Sequence, residues 1–282
     1  MPQRYGTHER HELMRVALFQ ATSRPRNEVN AHALGRAAME ARALGASVLV
    51  TPELFLSSYA PRDVAATDGW ADRAELAAAA RREGLWLVGS TVERIDDVAH
   101  ITASLFDPHG HEVTRYRKRN LFGADERAMF LPGDERPEIV EIDGWAVALG
   151  ICFDVEFPEF VRDVAVRGAE LLLVPTAVPL REPTPSGPNP LDTRQVSLMV
   201  VPTRAFESQL FIAYANHGEP AFSGSSVLAD PYGRRVVTAG PHEQLVVGDV
   251  TREVLDGARA AVDYLAIIER ATLRDASRSP SA

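Results

Sequence analysis

A single cysteine, Cys152, stands among the 282 residues. This excludes an intrachain disulfide framework and a zinc site of clustered cysteines, and it points to a reducing compartment. Positive charge is also scarce: 30 Lys and Arg face 39 Asp and Glu, for a formal net charge of -9. The basic residues are scattered among acids rather than gathered into a stripe, so nucleic acid is not expected as a partner. Long apolar runs are missing too. Met1 to Leu13 is polar and charged with no apolar h-region, and no later stretch has the length of a membrane span, so a soluble, unexported, cytoplasmic protein is expected, with no membrane partner. Repeats, low-complexity tracts and linkers are absent. With 45% hydrophobic content the chain can bury a large core, and it reads as one α/β domain over residues 14–275 between a polar tail, 1–13, and a frayed one, 276–282.

What is present is a repeated alternation of apolar runs and helical stretches. Met14 to Gln20 reads as a strand, Asn27 to Leu44 as a helix ending at Gly45, and Ala46 to Thr51 as a second buried strand. A crossover helix predicts that the two strands pair in parallel. The second strand runs into Glu53, an acid at the C-terminal end of a buried strand, where it faces either a crevice or, as an ordinary loop acid, solvent. An Ala-rich helix up to Gly84 and a strand from Leu85 to Val92 repeat the pattern. Ile101 to Phe106 and Glu112 to Lys118 then read as a hairpin that delivers Lys118 at its end, followed by non-strand chain through Glu126 to the turn Pro132-Gly133. Flanking Arg115, Arg117 and Arg119 also allow Lys118 to be a plain surface charge. His109 and His111 sit in a hairpin turn with no carboxylate or cysteine at ligand spacing, so no metal is expected.

The hairpin Ile139 to Ile142 and Trp145 to Ile151 ends at Cys152, where strand character stops. A helix is predicted from Phe157 to Val166, with Pro158 in its first turn. Cysteine at such a junction faces backbone N–H groups that favour a thiolate and can bind an oxyanion, although free cysteine is equally at home as a small buried hydrophobe. Leu171 to Thr176 is a third buried strand. A proline-rich loop, Pro179 to Pro190, follows, then a helix over Val196 to Ser208. Strands are predicted at Phe211 to Asn216, Gly224 to Asp230, Arg234 to Ala239 and Gln244 to Val250, and Thr251 caps a last helix running to about Arg274.

Three strand ends thus supply a carboxylate, an ammonium and a thiol. In their settings, Thr51-Pro52-Glu53-Leu54-Phe55-Leu56, Tyr116-Arg117-Lys118-Arg119-Asn120-Leu121-Phe122 and Gly150-Ile151-Cys152-Phe153-Asp154 with Phe157-Pro158-Glu159, the chain resembles the nitrilase, or carbon–nitrogen hydrolase, superfamily. Arg204-Ala205-Phe206-Glu207, Tyr214-Ala215-Asn216, Gly224-Ser225-Ser226 and Asp230-Pro231-Tyr232-Gly233 extend the likeness over roughly Met14 to Val250. Asn120 stands where many members have His, and the chain lacks the Asp-Arg-Arg-Pro-like ending common among them.

The resemblance implies a four-layer α-β-β-α sandwich, a Glu53–Lys118–Cys152 triad, and Glu126 as a second glutamate orienting the lysine and substrate. It further implies a homodimer or larger homo-oligomer. Cys152 would attack an amide, Glu53 would act as general base, and Lys118 with the Phe153 N–H would hold the oxyanion; Thr176 joins Phe153 as a candidate oxyanion or substrate contact. No cofactor is needed. The Phe153-Asp154 pair resembles the amidase branches rather than typical nitrilases, which favours small to medium aliphatic or amino-acid-like carboxamides. N-carbamoyl compounds and nitriles are the alternatives. A papain-type Cys152–His217 pair leaves Glu53 and Lys118 unexplained, and a redox-sensing or non-catalytic role leaves the triad without purpose.

Overall fold

The computed structural model describes residues 12–22, 24–25, 28–181, 185, 187 and 189–268. Two six-stranded sheets carry the architecture. In the first, β1 (Leu13–Gln20) pairs in parallel with β2 (Val48–Val50), with Val16 opposite Val48, and α1 (Glu28–Ala43) crosses between them. The helix buries Ala33, Leu34, Ala37, Ala38 and Ala41, the spacing of one helical face. After the short α2 (Pro61–Val64), α3 (Trp70–Glu83) stops at Gly84, whose left-handed φ of 63° lets its N–H return to the Ala80 carbonyl. β3 (Trp86–Ile95) is parallel to β2, whereas β4 (Val98–Phe106) and β5 (Glu112–Arg117) continue antiparallel.

The second sheet begins with β6 (Ile139–Ile142) and β7 (Trp145–Leu149), joined at Asp143 and Gly144, which have φ of 46° and 79°. Positive φ at both positions matches the twist of a tight hairpin. From β7 the chain passes through α5 (Pro158–Val166) to β8 (Leu171–Pro175), then through α6 (Val201–Ser208) to β9 (Phe211–Ala215), and these strands are parallel. β10 (Val227–Ala229) and β11 (Arg235–Thr238) extend it antiparallel, and β12 (Gln244–Thr251) returns to the first sheet beside β1. The sheets face each other, with β1, β2 and β3 against β8 and β9. α1 and α3 cover the outer face of the first sheet, and α5 and α6 lie over the second. This is the expected α-β-β-α sandwich. Strands such as Leu171–Pro175 are buried along their whole length because both faces are covered.

Three segments depart from the sequence expectation. The chain after Lys118 holds a helix, α4 (Gly123–Met129). The helix predicted over Val196–Ser208 is in two parts: Val196–Val200 is wound wide, and the Val201 N–H reaches back to the Val196 carbonyl. Pro202 accounts for this, since it has no N–H to donate and its ring crowds the preceding turn. The last helix, α7 (Arg252–Ala261), ends well short of Arg274. Val262 is extended, and Gln209, the residue after α6, donates from Nε2 to the Ala258 and Val262 carbonyls at 3.0 and 2.5 Å. A short helical stretch, 264–268, follows, and the remainder of that prediction lies outside the described residues.

Candidate active site

The parallel strands end together, and their C-terminal ends place the candidate residues. Glu53 follows β2, and its N–H donates to the Thr176 carbonyl at 3.1 Å, tying the two sheets together at the site. Lys118 follows β5; its N–H donates to Ile101 O and its carbonyl accepts from Gly133 N, both at 2.8 Å. Only a glycine fits there, because a Cβ at position 133 would lie 2.5 Å from the Arg117 carbonyl. Glu53 and Lys118 are fully buried. Lys118 Nζ donates to Glu53 Oε1 and to Glu126 Oε1 at 2.8 Å each, so one ammonium bridges two carboxylates.

Glu126 on α4 is held from three sides. Besides Lys118, the Tyr59 hydroxyl donates to its Oε1 at 2.5 Å and the Phe122 N–H to its Oε2 at 2.7 Å. Sequence reasoning missed Tyr59, which lies in a loop without periodicity; the one signal was its place in the loop that follows Glu53.

Cys152 opens a tight turn, Cys152–Glu156, with a φ of 45°. This left-handed conformation is disfavoured for a side chain by roughly 1–2 kcal/mol. Asp154 secures it: the carboxylate accepts from Ile151 N at 3.1 Å, from Asn120 N and Nδ2 at 2.9 Å each, and from the Tyr116 hydroxyl at 2.9 Å. Asn120, the departure from the usual His, thus anchors the nucleophile turn through both its main chain and its side chain. The Phe153 ring packs edge-on with Phe122 and Phe157 at 5.3 and 5.0 Å.

Burial sets the electrostatics. It pushes Glu53 up to about 8, against the pull of the Lys118 charge and with help from Glu126. Glu53 Oε2 is buried with no hydrogen-bond partner among the described residues. Burial and the Glu53 carboxylate also raise Cys152 well above a free thiol, opposed by Lys118 and by the Ala177 N–H. For Lys118 burial acts the other way, but Glu53, Cys152 and Glu126 more than offset it and raise its pKa. The site therefore holds a permanent cation, a neutral thiol and a carboxyl poised near neutrality.

The other candidates are placed differently. Thr176 is buried and its hydroxyl donates to Val174 O at 3.2 Å; Ala177, not Thr176, faces the cavity beside Cys152. His217 has its Nε2 2.7 Å from the Glu53 carbonyl oxygen, and burial lowers its pKa to about 4. It is a neutral ring supporting the Glu53 backbone. His111 Nδ1 is 3.2 Å from Asp107 Oδ2 within its hairpin turn. The cavity over Cys152 has a volume of about 70 Å³, and its lining includes Phe122, Glu156, Ala177, Val178 and Thr193.

The family model for carbon-nitrogen hydrolases matches residues 15–260. The chain belongs to that family. Among its relatives, a hydrolase from Pseudomonas protegens described as lying in the pqqF 5' region is 36% identical over 265 residues, covering 90% of this chain and 88% of that protein. The 2-oxoglutaramate amidase of Bacillus subtilis is 29% identical over 213 residues, 73% of this chain and 78% of that one. Among solved structures, a mutant of the nitrilase-superfamily amidase from Nesterenkonia sp. AN1 shows Michael addition of acrylamide at its active-site cysteine; it is 36% identical, with a TM-score of 0.77 over 89% of this chain and 98% of that one. The fold and the carbon–nitrogen hydrolase family are therefore those the sequence motifs implied.

Proposed function

We propose that this carbon–nitrogen hydrolase is an amidase that cleaves small carboxamides through a thioester on Cys152. The observation that carries the reading is the Lys118 ammonium bridging Glu53 and Glu126 at 2.8 Å beside a buried thiol. A neutral thiol needs a base, and Glu53 is the carboxylate whose pKa is matched to that task. As Sγ bonds to the amide carbon, the thiol proton passes to Glu53 and the carbonyl π electrons move onto oxygen. Lys118 and the Phe153 N–H hold that oxyanion. Collapse breaks the C–N bond, Glu53 returns the proton to the departing nitrogen, and ammonia leaves. Water then attacks the thioester carbon, giving its proton to Glu53, and the second collapse releases the carboxylic acid and restores the thiol. The bridge to Glu126 keeps Lys118 in place when Glu53 changes charge.

The amidases among the relatives and structural neighbours support this reading, and one Nesterenkonia structure carries the acetamide moiety of fluoroacetamide on its active-site cysteine. The test is ammonia release from matched amide, nitrile and N-carbamoyl compounds, with fluoroacetamide labelling followed by mass spectrometry. Turnover of the amide and a single adduct on Cys152 are expected. A higher kcat/KM for the nitrile or the N-carbamoyl compound, or full activity in Cys152→Ala, overturns the proposal.

A further inference from the structure

The turn that presents Cys152 also presents a second ionisable group to the same cavity. Glu156, its last residue, is half-buried and lines the cavity beside Cys152. Among the described residues its carboxylate makes no hydrogen bond and no ion pair. The nearby Arg204 does not neutralise it directly: Arg204 Nη2 donates to the Glu156 main-chain carbonyl at 2.8 Å, and Nη1 donates to Glu207 at 3.0 Å. Arg181, the other charged residue of the lining, is exposed, with its guanidinium 5.7 Å from the centre of the Phe122 ring. Glu156 is thus a cavity-lining carboxylate with no bonded partner among the described residues.

Charge balance around the thiol points the same way. Two carboxyl groups, Glu53 and Glu126, bond the one buried ammonium, Lys118, and a third, Glu156, lines the cavity beside Cys152. Burial raises the Glu156 pKa, against the pull of Arg204, Lys118 and Arg181, as expected for a carboxylate without a bonded counter-ion. A ligand ammonium would supply what this carboxylate lacks, whereas a ligand carboxylate would meet repulsion.

We propose that Glu156 selects the acyl group, so that the enzyme prefers small carboxamides whose acyl chain ends in an ammonium group and discriminates against those ending in a carboxylate. The proposal rests on the amidase reading for its reaction, but the recognition it describes is a property of the cavity. Size limits the chain. A cavity of about 70 Å³ is about half the size of the roughly 150 Å³ apolar cavity that takes up one benzene.

Three ligands separate charge from shape: 3-aminopropanamide, its neutral counterpart butanamide, and the anionic succinamate. Affinities are measured by calorimetry at pH 7 on Cys152→Ala and on Cys152→Ala/Glu156→Gln, and kcat/KM on the wild type and Glu156→Gln. In the Glu156 background, 3-aminopropanamide should exceed butanamide by about 10- to 100-fold, the span of one charge-assisted contact, and succinamate should rank last. Glu156→Gln should collapse the ratio of 3-aminopropanamide to butanamide toward one, in binding and in turnover alike. Because the readout is a ratio within one protein, a general loss of stability or activity cancels. Equal affinity for 3-aminopropanamide and butanamide, or a ratio that survives Glu156→Gln, overturns the proposal. If none of the three is hydrolysed by the wild type, the amidase reading fails on that count, and the binding ratios still decide the role of Glu156.

Discussion

In the proposed mechanism Glu53 acts as a base where burial opposes its charge, and this sets its pH behaviour. Its carboxyl is pushed up to about 8 by burial, against Lys118, so the base form is lost as pH falls below that value. On this mechanism kcat/KM should drop about tenfold per pH unit below about 8, and a rate profile across pH 5 to 9 checks it. A flat profile down to pH 5 would remove Glu53 as the base. Lys118→Ala leaves two buried carboxylates without their shared ammonium and takes away the proposed oxyanion donor. A loss of kcat of about 10²- to 10³-fold or more is expected, read by ammonia release, with circular dichroism confirming the fold. Tyr59→Phe is subtler. It removes only the hydroxyl that donates to Glu126 Oε1 at 2.5 Å, so kcat should fall by about 10-fold, the worth of a hydrogen bond to a charged group. Wild-type kcat in Tyr59→Phe would show that Lys118 and the Phe122 N–H hold Glu126 unaided.

At the scale of the element, the turn Cys152–Glu156 depends on one buried carboxylate. Asp154 accepts from Ile151, Asn120 and Tyr116, so Asp154→Ala orphans several buried donors together. A destabilisation of about 3 kcal/mol or more is expected in urea unfolding, with activity lost in the protein that remains folded. Much of this scaffold was legible in the sequence. Leu171–Pro175 is apolar throughout because it is covered on both faces, and α1 and α3 stop at Gly45 and Gly84 because left-handed backbone favours glycine. What sequence could not show was set by tertiary contact. The φ of 45° at Cys152 has no signature in its side chain and exists because Asp154 bonds around it. α4 is only Gly123–Met129, too short for a periodic pattern, and its N-cap residue, Phe122, has no side chain that could cap it. α7 ends at Ala261, where Gln209 donates to the Ala258 and Val262 carbonyls. The places of Glu53, Lys118 and Cys152 were legible as three strand ends, whereas Tyr59 and the inward turn of the Thr176 hydroxyl depend on loops packing across the sheets.

For the whole molecule, acid tolerance depends on how the edge of the first sheet is tied together. Glu93 on β3 accepts from Thr102 on β4 at 3.0 Å, from Arg117 on β5 at 2.7 Å, and from Arg115 on the same strand. One carboxylate thereby links three neighbouring strands. Burial alone would raise its pKa, but the bonds and charges of Arg117 and Arg115 more than offset this and hold it at about 2. A carboxyl whose folded pKa lies below its unfolded value stabilises the fold at pH values above the unfolded pKa. That stability is lost as pH falls from about 4.5 toward about 2, because the unfolded chain binds the proton first. The gap corresponds to at most about 3 kcal/mol. Urea unfolding of wild type and Glu93→Gln at pH 7, 4 and 2.5 reads it out. The wild type should be more stable by about 2 kcal/mol at pH 7, with the difference shrinking steadily toward pH 2.5. A difference constant across the three pH values would mean that Glu93 contributes through shape and neutral hydrogen bonding, not through its charge.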